Sequence, residues 1–434
     1  MKIAWFRNNI TPEVGCLVAG YGPHDVSVAK LDDLFVTGLC IDDGTNKVVL
    51  ISFDLLGLDE SYIMEIRREC AALLNIPDTA VLLSCTHTHS GPETRSLARC
   101  PENLNKPYLE KLKKSVLDSI ASMHDFKECI AVFNSVYCDS NNSRRQNSPD
   151  NHNTYLPFCR ELTPLAVNNF ADKELGVIAF LDPETQRPIY VIGNYAAHPL
   201  SGHGAGVSAL RISADFPGVF RNYVTTETGA EAMFISGAAG DMVPKDDEGG
   251  AEAIRRNGTT LGVCTIRAII DSQRALARYK LDDKVGSHSR KFTVPLRKAY
   301  SENPDKLPAP YFGSKEVSLE IQCVSIGDIC ITGVPGELCA EVGQEIKWHS
   351  PFCRTFIAYN STAYFSYICP GNFLVAGGYE AASQRISSRG ALALLNTAVD
   401  TMYELHETLY PSPAEKGENY PDYLSHDLVY WHKK

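Results

Sequence analysis

An apolar run that reads as a buried strand and closes on a chemically equipped turn constrains this chain most, and it recurs along the 434 residues. Ala80-Val81-Leu82-Leu83 leads into Ser84-Cys85-Thr86-His87-Thr88-His89-Ser90-Gly91-Pro92. Side chains two apart on an extended segment share a face, so His87 and His89 sit together where strand gives way to loop. Functional sites of α/β proteins gather at such strand ends, and neutral imidazole is the commonest metal ligand. The alternative for either histidine is a plain hydrogen bond to backbone.

The same signature returns in Val191-Ile192-Gly193-Asn194-Tyr195-Ala196-Ala197-His198-Pro199, which makes His198 a candidate partner of His87. His203 follows in a Gly-flanked loop, and Ser213-Ala214-Asp215 reads as a helix entrance, with Asp215 either a cap or a polar group of the site. Met233-Phe234-Ile235-Ser236-Gly237-Ala238-Ala239-Gly240-Asp241 is a third strand, ending in small residues that let backbone approach a ligand. It lacks the spacing of a phosphate loop. Ile331-Thr332-Gly333-Val334-Pro335-Gly336-Glu337 is a fourth, followed by a helical pattern over 338–347. Glu337 there is explained by the helix dipole alone; joined to two strand-end histidines, it completes a recurrent catalytic zinc set.

Strand and helix patterns alternate along the chain, predicting an α/β fold of mixed sheets flanked by helices, with the metal site at strand ends of a single large domain over 1–410 and a tail over 411–434. Strands are expected at 34–41, 47–53, 175–181, 189–193, 232–235 and 329–332, and helices at 61–74, 107–123, 259–279 and 389–409. Segments 140–153 and 285–315 read as loops, and no internal repeat is visible. A net charge of −11 argues against a nucleic-acid partner. The 14 cysteines are scattered, without a CxxC, and read as reduced thiols. With no signal-peptide pattern at 1–9 and no run long enough for a transmembrane helix, a cytoplasmic location is expected.

Taken together, SCTHTHSGP, NYAAHP with SADFPG, GAAGD, VPGE, and AYFSYI followed by GYEAAS resemble, in order and spacing, the neutral ceramidase family, over roughly residues 1–400. The chain is most similar to short bacterial members without the C-terminal immunoglobulin-like domain. The resemblance implies a zinc-dependent hydrolase of an N-acyl bond, with one Zn²⁺ per chain held by His87, His198, Glu337 and Tyr367. It implies that His89 moves protons, that Tyr379 stabilises the oxyanion, and that Arg144 lies in the substrate pocket. Asp241 is counted with the catalytic residues. Val243 stands where the longer ceramidases carry a catalytic serine, so the substrate is expected to be a small N-acyl compound and not necessarily ceramide.

A metal-activated water needs no serine nucleophile, which keeps hydrolysis open despite Val243. Two other readings stand beside the amidase: an esterase on the same site, and a non-catalytic metal- or lipid-binding protein. Two histidines and a carboxylate also suit Fe²⁺.

Overall fold

The structure is a computed structural model and describes residues 1–20, 22, 24–96, 104–145, 170–202, 210–245, 249–303, 306–307 and 311–411. Strand Phe35–Asp42 turns through Asp43-Gly44, where Gly44 takes a φ of 91°, and returns antiparallel as Lys47–Phe53. Strand Lys2–Asn9 pairs antiparallel along the outer side of Phe35–Asp42. Helix Glu60–Leu74 then crosses over, and Val81–Cys85 adds parallel to Lys47–Phe53. Helix Lys106–Ala121 packs beside the crossover helix through Leu109, Leu112, Val116 and Ile120.

This order of elements occurs three times. In the second unit Ile130–Tyr137, Glu174–Leu181 and Pro188–Tyr195 are antiparallel neighbours, helix Asp215–Thr228 crosses over, Glu231–Ser236 adds parallel, and helix Gly250–Arg274 closes the unit. In the third, Val285–Pro295, Glu316–Ile326 and Ile329–Gly333 precede helix Ala340–Trp348, the parallel strand Arg354–Ala358 and helix Gly390–Leu409. The expectation of no internal repeat is therefore corrected. The repeat is one of topology: a strand buried on both faces accepts almost any apolar sequence, so the units keep their outline without sharing residues.

Alternation along the strands shows how the units meet. Val81, Leu83 and Cys85 face the helices of their own unit, whereas Leu82 faces inward. Ile178, Ile192 and Met233 of the second sheet, and Val324, Ile331 and Phe356 of the third, join Leu82 and Leu50 in one central core. Each sheet thus turns one face to a shared core and the other to its own helix pair. Buried side chains lock the sheets together: Ser52 Oγ donates to the Phe234 carbonyl at 2.7 Å, Asn194 Nδ2 to Ile235 and Ile357 at 2.9 and 3.0 Å, and Gln322 Nε2 to Val81 at 2.9 Å.

Two loop expectations are corrected. Val285–Pro295 is a strand paired along its whole length with Glu316–Ile326, and Asn141–Ser143 pairs with Met242–Pro244. The helix expected from 259 begins at Gly250 and breaks after Arg274, before the short helix Leu276–Tyr279. Among the described residues every cysteine is a free thiol, with Cys339 and Cys369 Sγ atoms 3.5 Å apart, and no helix is long and apolar enough to cross a membrane. His203, most of the 140–153 segment and the tail from 412 lie outside the described residues.

Candidate active site

The carboxyl ends of the parallel strand pairs from all three units point to one place, where a ligand site is expected. The first unit supplies His87 and His89 just beyond Val81–Cys85, the second His198 beyond Pro188–Tyr195, and the third Glu337 beyond Ile329–Gly333. The backbone is bent to deliver them. Among the described residues, four of the six non-glycine residues with positive φ, His87 (71°), Asp215 (56°), Asn360 (51°) and Ser366 (74°), border this region, and such strain persists where the surroundings over-determine it.

His87 and His198 are fully buried, and each turns its Nδ1 toward backbone: His87 to the Leu56 carbonyl at 2.7 Å, His198 to that of Ala239 at 2.6 Å. A ring that donates through Nδ1 presents the lone pair of Nε2. The Nε2 atoms of His87 and His89 are 3.3 Å apart, and Glu337 Oε2 lies 3.2 Å from His198 Nε2 and 3.5 Å from His87 Nε2. Donor atoms on a tetrahedral zinc at about 2.0–2.1 Å lie about 3.4 Å from one another. His87, His89 and His198 offer ring nitrogens all within 4.8 Å of one another, so this group could hold a metal ion. By donor chemistry and spacing, the residues fit one.

The charges fit as well. Burial, reinforced by its two imidazole neighbours, holds His89 well below the usual histidine range, and burial brings His198 down to about 4. Burial opposes ionisation of Glu337, yet the His87 and His198 imidazoles hold its carboxyl well below the usual range. Near neutral pH this leaves neutral His89 and His198 rings beside an ionised carboxylate, the form that binds a cation.

The parallel pairing of Glu337–Leu338 with Tyr367–Ile368 sets Tyr367 directly beside Glu337. The Tyr367 hydroxyl accepts from Arg144 Nη2 at 3.1 Å, while the hydroxyl that reaches Glu337, at 2.5 Å from Oε1, belongs to Tyr364. The role of Tyr364 escaped the sequence reading, although it stands in the AYFSYI run; its ring stacks near His87 with centroids 6.1 Å apart. Arg144 is largely taken up by the protein, giving Nε to Glu380 at 2.5 Å and Nη2 to the Gly240 carbonyl at 2.7 Å. Arg145 binds the same carboxylate at 2.8 Å, and these guanidiniums outweigh burial to hold Glu380 below its ordinary value. Tyr379 begins the short helix Tyr379–Ser383, is half exposed, and packs edge-on against Tyr367.

Asp241 lies beneath the site. Its Oδ1 accepts from Ala340 N at 2.8 Å and Oδ2 from Ser143 at 3.3 Å, contacts that anchor the helix following Glu337. Asp215 accepts from the backbone of Gly202 at 2.8 Å and Phe216 at 2.6 Å, and so ties the loop after His198 to its helix. Asp215 is itself the first residue of that helix, whose N-cap is Ala214 without a side-chain cap bond, so the capping role expected for it is not the one it plays. Burial raises both carboxyls to about 6. Val243 is paired opposite Asn142. Arg95, also unassigned from sequence, stacks 4.6 Å over the Tyr364 ring and binds Glu93 at 2.7 Å.

No family model matches the chain, and no curated protein matches it in sequence. Solved structures that share its fold include two ceramidases. Neutral ceramidase from Pseudomonas aeruginosa superposes with a TM-score of 0.75 at 16% sequence identity, covering 94% of this chain and 74% of that one. A ceramidase complexed with C2 gives 0.74 at 15% identity, over 94% and 75%.

Proposed function

From a chain with the neutral ceramidase fold, we propose a metal-dependent hydrolase of amide bonds in N-acyl compounds. The observation that carries this reading is the convergence of three imidazoles and one carboxylate at ligand spacing on strand ends drawn from all three units. His87, His198 and Glu337 would hold the ion, with Tyr367 beside Glu337 as the fourth protein ligand. When bound, such a metal polarises a carbonyl and makes water acidic enough to react near neutral pH.

The residues divide the remaining work. His89, kept neutral by burial, accepts a proton from the attacking water and returns it to the leaving amine. Water adds to the acyl carbon, the C–N bond breaks, and the products are a carboxylate and an amine. Tyr379 retains its proton, because burial first and the nearby Glu337 charge second raise its pKa, and donates to the oxyanion as the tetrahedral carbon forms. Arg144 holds the Tyr367 hydroxyl, and Tyr364 holds the second oxygen of Glu337, so the carboxylate presents one oxygen to the imidazoles.

The test is release of free amine from a panel of N-acyl compounds before chelation, after chelation and after return of zinc. Release that stops and recovers with the metal supports the proposal. Metal-dependent cleavage confined to esters would replace it with the esterase reading.

A further inference from the structure

Each unit brings two parallel strand ends to the site, and in the first two units one end carries an imidazole while the other orients it. In the first, His87 stands two residues beyond Val81–Cys85, and the Leu56 carbonyl, three beyond Lys47–Phe53, lies 2.7 Å from its Nδ1. In the second, His198 stands three residues beyond Pro188–Tyr195, and the Ala239 carbonyl, three beyond Glu231–Ser236, lies 2.6 Å from its Nδ1. The third unit carries Glu337 beyond Ile329–Gly333, and Asn360, two beyond Arg354–Ala358, holds the remaining place. Asn360 repeats the position of His87 in its own unit, with a left-handed φ of 51° against 71°.

Asn360 is buried, and its side chain crosses to the first unit, where Nδ2 stands 2.9 Å from His87 Nδ1. The Leu56 carbonyl only accepts, so its contact fixes the proton on His87 Nδ1. A protonated Nδ1 has no lone pair for an amide N–H. The two ends of an amide have the same shape, and with the amide turned over, Oδ1, otherwise buried without a hydrogen-bond partner, accepts from that same Nδ1–H. Nothing is lost, because Nδ2 had no acceptor there. The backbone ties Asn360 to the other ligand-bearing turn: Asn360 N donates to the Gly336 carbonyl at 3.3 Å and Ser361 N to that of Val334 at 2.9 Å, just before Glu337. One residue thus links the Glu337 turn to the His87 ring, whose Nε2 is 3.5 Å from Glu337 Oε2.

We propose that Asn360 is a positioning residue of the metal site: its side-chain oxygen accepts from His87 Nδ1–H beside the Leu56 carbonyl and holds the ring with its Nε2 lone pair free for the ion. This rests on the metal-dependent reading. An outer hydrogen bond of this kind fixes the tautomer and orientation of a ligating imidazole and raises its basicity. Asparagine suits the place because it adopts left-handed backbone more readily than most residues and carries an acceptor. Glycine would keep that backbone without the side chain, and aspartate would keep both the backbone and an acceptor oxygen.

Zinc affinity of the full chain, stripped by chelation and titrated in competition with a chromophoric chelator, tests this without turnover. Asn360→Gly is expected to bind zinc about 10- to 100-fold more weakly than the wild type, and Asn360→Asp within about threefold of it. Ser361→Ala removes the neighbouring hydroxyl's bond to the Ala358 carbonyl at 2.8 Å; it measures the cost of loosening the same turn and should leave zinc affinity unchanged. Wild-type affinity in Asn360→Gly would overturn the proposal, as would an equal loss in Asn360→Gly and Ser361→Ala, which would assign the effect to packing of the turn. A loss in Asn360→Asp as large as that in Asn360→Gly would overturn the accepting oxygen. A wild type that binds no zinc would overturn the metal reading and this inference with it, whereas zinc held equally by wild type and Asn360→Gly would overturn the inference alone. Should Asn360→Gly fail to fold, Asn360→Ser, whose hydroxyl is too short to reach His87, takes its place with the same expected loss.

Discussion

The floor and the rim of the candidate site are built differently. The floor, His87, His89, His198 and Glu337, comes from the ends of strands whose register is set by apolar alternation on two faces. The rim, Arg95, Tyr364 and Tyr379, comes from the stretches between last strand and closing helix of the first and third units. Floor residues are held by backbone: Leu56 and Ala239 carbonyls orient the imidazoles. Rim residues are held mainly by other side chains, through Tyr364 on Glu337, Arg95 on Tyr364 and Tyr379 on Tyr367. The strands therefore fix where a metal could be held, and the loops shape what surrounds it.

Substitutions divide along the same line. Replacing Glu337 by Gln should remove metal and activity together, about 10³-fold or more in kcat/KM, because Lewis-acid stabilisation is worth several kcal/mol. Turnover and metal content measured on one preparation check this; activity surviving without metal would break the distinction. Tyr379→Phe should keep metal at full stoichiometry and lower kcat about 10²-fold, the cost of one oxyanion donor. A loss of metal in that variant would move Tyr379 from rim to floor. Tyr364→Phe lies on the boundary: it removes the 2.5 Å hydrogen bond to Glu337, so metal affinity should fall about 10- to 100-fold, read by competition with a chromophoric chelator.

The smallest expected effect concerns Asp241. Its carboxyl is raised by burial to about 6, above an unfolded value near 3.9, so the folded state holds the proton more tightly. That stabilisation is complete below about pH 4 and lost as pH rises through about 6. Asp241→Asn cannot ionise, so its unfolding free energy should gain on the wild type between pH 4 and 7, by at most about 3 kcal/mol. Denaturant titrations at four pH values measure it, and a difference that stays flat with pH would contradict the placement of Asp241.

Much of the floor was legible in the sequence because its signal is local. An apolar run followed by His87 or His198 states both the strand and what stands at its end, and Asp43-Gly44 marks the hairpin that starts the first unit. The rim was less legible. Tyr364 gains meaning only from Glu337 and Arg95, which are remote in sequence. The strand Val285–Pro295 was hidden for another reason. Its outer face is polar because His288 and Arg290 pair with Glu404 and Asp400 on the closing helix, at 2.7 and 3.3 Å, which erases the apolar alternation. The threefold topology was invisible because units that share only an inside-outside pattern need share no residues.

The most direct test of the account is metal content by elemental mass spectrometry, on the wild type and on a His87→Ala, His198→Ala double variant purified without added metal. The account predicts about one transition-metal ion per chain in the wild type and under about a tenth of that in the double variant, since a site built on imidazoles cannot keep its ion without them. Full metal stoichiometry in a folded double variant would contradict it.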